Sequence, residues 1–258
     1  MNPQMKITFL GTGTSQGIPV IGSTHPVCLS NDPKDKRLRV SVLVQWEGFS
    51  CVIDCGPDFR QQMLRENVNK VDAILITHEH SDHTAGIDDI RPFNFMQGKM
   101  PFYALNRVFE SLHQRFGYIF QKENKYPGAP NVKEIEIDKN SVFNLGGIDV
   151  ISIEAFHDVL PILGFRIGDF TYLTDVKTIS DEEAEKVKGS EVLVVNALRE
   201  EPHYSHFNLE EALEFIQKVK PKRAYLTHIS HRMGFHKEVE KKLPNNVHLA
   251  YDTLTITI

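Results

Sequence analysis

Cysteine is scarce: 258 residues contain three, Cys28, Cys51 and Cys55. An odd and small number cannot make the disulfide framework of a secreted miniprotein, so a reducing compartment is expected. Long apolar runs are missing too. The first ten residues hold one lysine and an apolar run from Ile7 to Leu10, too short for a signal-peptide core, and nothing elsewhere approaches the roughly twenty apolar residues of a membrane helix. The expectation is a cytoplasmic protein without a membrane partner. Positive charge is not in excess either. Lys and Arg number 29 against 34 Asp and Glu, a formal net charge of -5, which removes any global pull toward nucleic acid. Linkers rich in glycine and serine, low-complexity tracts and internal repeats are also lacking. Residues 1–258 therefore read as one domain, a size that buries roughly three quarters of its unfolded surface.

What is present is a series of short apolar runs bounded by turn residues. Ile7–Leu10, Val40–Val44, Cys51–Ile53, Ala73–Ile76, Ile148–Ile153, Thr171–Leu173, Val192–Val195 and Ala224–Leu226 read as strands. Gly146-Gly147 and Gly168-Asp169 supply the positive φ angles of tight hairpins, so part of the sheet is antiparallel. Asn208 with Glu211 forms a capping box ahead of Leu209, Ala212, Leu213 and Ile216, with Pro221 as the stop. Ser180 with Glu183 opens a second helix in the same way, and weaker helical patterns cover Asn106–Phe116 and Lys237–Leu243. The irregular, polar stretch Gln121–Val132 is expected to be a loop or lid.

Histidine is abundant, with twelve copies, and their placement is not random. Thr77-His78-Glu79-His80-Ser81-Asp82-His83 follows the apolar run ending at Ile76, which puts three imidazoles and an aspartate just past a buried strand, where ligands collect in α/β sheets. The same arrangement recurs at His157, Asp175 and His228, each directly after an apolar run. Singly, such residues are ordinary polar caps. Together they are five histidines and two aspartates, enough nitrogen and oxygen donors for two divalent cations sharing a carboxylate.

This order of residues, His78-x-His80-x-Asp82-His83 followed by His157, Asp175 and His228, resembles the metallo-β-lactamase superfamily over essentially the whole chain. The resemblance implies an α/β fold, a four-layer αβ/βα sandwich of two mixed β-sheets flanked by helices. It also implies that His78, His80 and His157 hold one cation, that Asp82, His83 and His228 hold the other, and that Asp175 bridges them. Zinc or manganese is the expected pair of ions. A water between two such cations loses a proton near neutral pH and becomes a nucleophile.

Leu10-Gly11-Thr12-Gly13-Thr14-Ser15-Gln16-Gly17-Ile18-Pro19 is not a dinucleotide fingerprint, because the glycine spacing is wrong and Pro19 stands where a helix should run. With Asp54-x-Gly56-Pro57-Asp58-Phe59-Arg60, Gly86 through Arg91 and Asn196-Ala197-Leu198-Arg199, it resembles the branch of cyclic phosphodiesterases typified by PhnP. That likeness implies hydrolysis of a small, cyclic phosphodiester such as a phosphoribosyl or nucleoside cyclic phosphate. It makes His206, which leads into the helix at Asn208, a contact to the phosphate or a proton donor to the leaving oxygen. Asp82 joins His206 as a catalytic residue, and Arg91 is a further candidate for the phosphate, although Asp88 and Asp89 beside it suit a structural ion pair. Members of this branch also commonly carry a structural zinc. Here His25, Cys28 and His231 would be its donors, three where a closed site wants four, so partial occupancy or none is expected.

The remaining expectations follow from the same residues. A homodimer is compatible with the sequence, and RNA is not the expected substrate. The alternatives are a metal-dependent thioester or lactone hydrolase built on the same donors, or a metal-binding scaffold without turnover.

Overall fold

The computed structural model describes residues 3–121, 123 and 125–258. Lys122 and Asn124, within the expected loop Gln121–Val132, lie outside the described residues. Fourteen strands pair into two sheets among the described residues. One contains β1 (Lys6–Gly11), β2 (Ser41–Trp46), β3 (Phe49–Ile53), β4 (Ala73–Leu75), β5 (Met100–Ala104), β6 (Val132–Glu136) and, returning from the other end of the chain, β14 (Thr255–Thr257). The other contains β7 (Val142–Leu145), β8 (Ile148–His157), β9 (Leu160–Ile167), β10 (Phe170–Tyr172), β11 (Val192–Asn196), β12 (Arg223–Thr227) and β13 (Val247–Leu249). The spatial orders are β14-β1-β2-β3-β4-β5-β6 and β13-β12-β11-β10-β9-β8-β7.

The two sheets repeat one pattern. In the first, β14, β1, β2 and β3 are antiparallel and β3, β4, β5 and β6 parallel. In the second, β7, β8, β9 and β10 are antiparallel and β10, β11, β12 and β13 parallel. The expected hairpins are present: Gly146-Gly147 joins β7 to β8 and Gly168-Asp169 joins β9 to β10, with both members of the first pair and Gly168 at positive φ.

Alternation along the strands explains the layering. On β3, Cys51 and Ile53 face the core between the sheets while Val52 faces the helices outside. On β11, Val192 and Val194 point inward and Leu193 and Val195 outward. Both faces are apolar because both are covered, as expected for parallel strands. The inner core is completed by Phe9, Val44, Phe165 and Tyr172. Helices Phe59–Arg65 and Asn106–Arg115 cover the first sheet through Met63, Val108 and Leu112, and helix Leu209–Val219 covers the second through Ala212, Phe215 and Ile216. The result is the four-layer α/β sandwich that the resemblance implied.

The helix at Leu209 has the full capping box, with Asn208 accepting from the Glu211 amide and the Glu211 carboxylate accepting from the Asn208 amide. The helix Asp181–Val187 has only half of one. Ser180 accepts from the Glu183 amide, but the Glu183 carboxylate is drawn away to the Glu154 amide and Lys186. It thereby ties the helix to β8.

Candidate metal centre

The expected donors stand at the C-terminal ends of strands from both sheets, which meet at one edge of the sandwich. His78 follows β4, Asp175 follows β10, His228 follows β12, and His157 ends β8. His80 caps a short helix, Ser81–Thr84, that carries Asp82 and His83. Asp54, Asp175 and His228 each adopt a left-handed backbone, with φ of 65°, 61° and 54°. Aspartate and histidine tolerate this region better than bulky residues, and such backbone strain tends to be kept where function needs a sharp turn.

The side chains gather as two groups with a carboxylate between them. One donor atom from each of His78, His80 and His157 lies within 4.8 Å of the others, and so do those of Asp82, His83 and His228. His78 Nε2 and His80 Nδ1 are 2.9 Å apart. Asp175 reaches both sides: its Oδ1 is 3.2 Å from His228 Nε2 and its Oδ2 is 3.3 Å from His83 Nε2, and a carboxylate oxygen lies within 4.8 Å of a ring nitrogen of His78 and of His157. Asp82 Oδ2 is 3.2 Å from His83 Nε2 and 3.6 Å from His228 Nε2. Nε2 of His83 and of His228 are buried with no hydrogen-bond partner. A buried nitrogen without a partner is costly unless a cation takes its lone pair, so the residues present fit divalent ions.

Neighbouring groups set which nitrogen faces the centre for three of the rings. His83 Nδ1 is 2.6 Å from Asp54 Oδ2, so its proton is held there and Nε2 is left free to coordinate. Asp54 is itself held by the Thr77 amide at 2.9 Å and the Thr77 hydroxyl. His157 Nδ1 donates to the Ser205 carbonyl at 2.7 Å, and His78 Nδ1 lies 3.0 Å from the Thr77 hydroxyl. Asn196 clamps the turn after Asp175, accepting from the Val176 amide and donating to the Val176 carbonyl. Arg107 joins Glu79 to the Pro161 carbonyl, linking the loop of His78 and His80 to the hairpin that presents His157.

Two close approaches fix the loop of Asp82 and His83. A Cβ on Gly56 would stand 2.0 Å from the Asp82 carbonyl oxygen, and one on Gly86 would stand 2.1 Å from the Gly56 carbonyl oxygen. Only glycine fits at either place.

Electrostatics agree with a cation site. Burial would raise the Asp82 and Asp175 carboxyls, but the imidazoles of His83 and His228 outweigh it and hold both well below the usual range. Burial pushes His78 and His80 down, so both are neutral at pH 7 and able to bind a metal. His83 runs the other way: burial opposes its charge, but Asp82, Asp54 and Asp175 raise it well above the ordinary value. That is the expected behaviour of an imidazole facing three carboxylates in the absence of an ion.

His206 is brought to the same place. Its buried Nδ1, without a hydrogen-bond partner, is 3.6 Å from Asp175 Oδ1, and its ring lies 4.4 Å from that of His157 and 4.9 Å from that of His228. Burial pushes its pKa down to about 3. Arg91, by contrast, is engaged in an ion pair with Asp88, whose other oxygen takes the Tyr118 hydroxyl. The three residues expected at a further zinc site are neighbours without forming a donor set. The rings of His25 and His231 are 4.9 Å apart, but His25 Nδ1 accepts from the Val27 amide and Cys28 packs with Ile18, Val27 and Phe235. Among the described residues, every group of three donors within 4.8 Å belongs to the central cluster. Asp54 is the residue that motif reading passed over as a site residue, although it too directly follows an apolar run, Cys51–Ile53.

Comparisons with known proteins agree with this geometry. The model of the beta-lactamase superfamily domain matches residues 50–229. The chain is 39% identical over 256 residues to a protein of Porphyromonas gingivalis named octanoyltransferase, covering 98% of this chain but 52% of that protein. It is 28% identical over 170 residues to a ribonuclease Z of Methanosarcina acetivorans, covering 63% of this chain and 48% of that enzyme. The chain thus spans about half the length of the curated relatives it matches first. A solved structure of a new diphosphatase from the PhnP family superposes with a TM-score of 0.92 at 39% identity, covering 99% of this chain and 97% of that one. With the superfamily model matching most of the chain and a PhnP-family relative aligned nearly end to end, this protein belongs to the metallo-β-lactamase superfamily, within its PhnP family.

Proposed function

We propose that the protein is a metal-dependent hydrolase of phosphoric diesters and diphosphates in small molecules, cyclic phosphodiesters among them. The observation that carries this reading is the pair of donor groups with Asp175 between them, with His83 Nε2 and His228 Nε2 buried, facing carboxylates and without a hydrogen bond. In this reading His78, His80 and His157 would hold one divalent cation and Asp82, His83 and His228 the other, with Asp175 available to both. Zinc and manganese both suit an all-imidazole and carboxylate donor set. Such a pair, when bound, supplies Lewis acidity toward a phosphoryl oxygen and lowers the pKa of water.

The chain's own residues do the rest. Asp54, Ser205 and Thr77 fix the tautomers of His83, His157 and His78, so each ring presents a lone pair inward. Asn196 holds the turn of Asp175. His206, neutral at pH 7, stands in the wall of the cluster and is placed to hold the phosphate through a ring N–H.

The octanoyltransferase relative favours a second reading, transfer or hydrolysis of an acyl group, since a polarised carbonyl is attacked as readily as phosphorus. Coverage favours the first. That relative's name belongs to a protein about twice the length of this chain, whereas the diphosphatase of equal identity is matched over 97% of its length. The test is a panel of cyclic phosphodiesters, linear phosphodiesters, diphosphates and octanoyl thioesters offered to the metal-loaded protein. Turnover of the phosphorus compounds is expected, and turnover of the thioester alone would replace this reading with the second.

A further inference from the structure

His203 borders the donor cluster without belonging to it, and the reading above gives it no task. Its ring is 5.2 Å from that of His206. Ser205 sets its orientation: the Ser205 amide donates to His203 Nδ1 at 3.3 Å, and the Ser205 hydroxyl is 3.2 Å from the same nitrogen. The carbonyl of that same Ser205 receives His157 Nδ1. One residue therefore orients an imidazole inside the cluster and another at its rim.

A ring nitrogen that accepts from an amide carries no proton, so a neutral His203 keeps its proton on Nε2. The ring is neutral at pH 7, because burial and then the positive charge of Arg199 push its pKa below the ordinary value. Nε2–H lies across the ring from the nitrogen that Ser205 occupies, on a side chain that is only half-buried. Arg199, held by the carbonyls of Glu201 and Pro202, and Lys177, held by Glu211, both act on the His203 ring. A neutral N–H donor one imidazole away from the cluster, on which the charges of Arg199 and Lys177 act although Glu201 and Glu211 approach those cations, suits an anion.

We propose that His203 is the anchor of a second anion subsite, where its Nε2–H holds a phosphoryl group that is not cleaved, adjacent to the one at the donor cluster. Substrates with two linked phosphates use this donor, and a lone phosphodiester leaves it idle. The proposal rests on the phosphate-hydrolase reading and narrows it toward diphosphates.

The test is a calorimetric titration of the metal-loaded protein with inorganic phosphate and with methylenediphosphonate, the non-hydrolysable analogue standing in for pyrophosphate, for wild type, His203→Ala and His203→Asn, each checked for wild-type metal content. The wild type should bind the diphosphonate more tightly than phosphate. His203→Ala should weaken the diphosphonate about tenfold, the scale of one hydrogen bond to a charged group, and weaken phosphate less than about threefold. His203→Asn keeps an acceptor for the Ser205 amide, so it restores a purely structural role but not a donor at the distance of Nε2. The proposal predicts that it behaves like the alanine variant. Equal weakening of both anions, recovery in the asparagine variant, or no diphosphonate preference in the wild type would each overturn it. These are binding measurements, so they are read independently of whether any phosphoric ester is turned over, which is what decides the reading beneath them.

Discussion

Asp54 and His83 meet at 2.6 Å in a site where neither side chain is exposed to solvent, and that contact decides which nitrogen of His83 faces the centre. Burial raises the Asp54 carboxyl, while its contacts with His83 and Thr77 act against the rise. Asp54→Asn keeps the shape but loses the charge that fixes the His83 proton. Removing such a supporting partner typically weakens a metal site by about 10–100-fold. Competition with a chromophoric chelator measures this, and unchanged affinity would show that Asp54 does not orient His83.

Gly56 lets the Asp82 loop lie against the turn after β3. In Gly56→Ala, the new methyl would meet the Asp82 carbonyl oxygen, a backbone atom that cannot swing aside. Overpacking of this kind costs about 1–3 kcal/mol. Denaturant unfolding should show that loss, and because Asp82 must shift, the variant should also bind less metal than wild type under equal loading. Wild-type stability and metal content together would refute the close packing described.

Much of this was readable in advance, and for one reason. Ligand residues placed directly after buried strands leave a signature that needs no third dimension: an apolar run, then His or Asp. His78, His157, Asp175 and His228 all carry it. Asp54 carries it as well, but its task is to hold another side chain's proton, and that pairing spans 29 positions of sequence, which no local pattern encodes. Strand β5 was missed because Pro101 interrupts its apolar pattern, and β6 because Lys133, Glu134 and Glu136 give it the charged composition of a sheet edge. The half-formed capping box at Ser180 has a tertiary cause, since the Glu154 amide competes for Glu183.

The pH dependence of stability has one well-placed source away from the centre. His236 Nδ1 lies 3.2 Å from the buried Arg37 guanidinium, and burial followed by that charge pushes its pKa down to about 4. An unfolded histidine takes up its proton near pH 6.5. Between those values the unfolded chain binds more protons, so stability falls as pH drops from about 6.5 toward 4. His236→Gln lacks this dependence. Urea unfolding at a series of pH values should therefore show wild type losing stability faster than the variant on acidification, and parallel curves would contradict the assignment.

The most direct test of the central claim follows bound metal and activity in one titration. Metal-free protein would be titrated with zinc or manganese while bound ion per chain and hydrolysis of a phosphodiester are both recorded, for wild type and Asp175→Asn. The account predicts that wild type reaches two ions per chain, that turnover rises with the second ion, and that Asp175→Asn loses nearly all activity. Full activity with a single ion, or an Asp175→Asn variant that matches wild type, would contradict it.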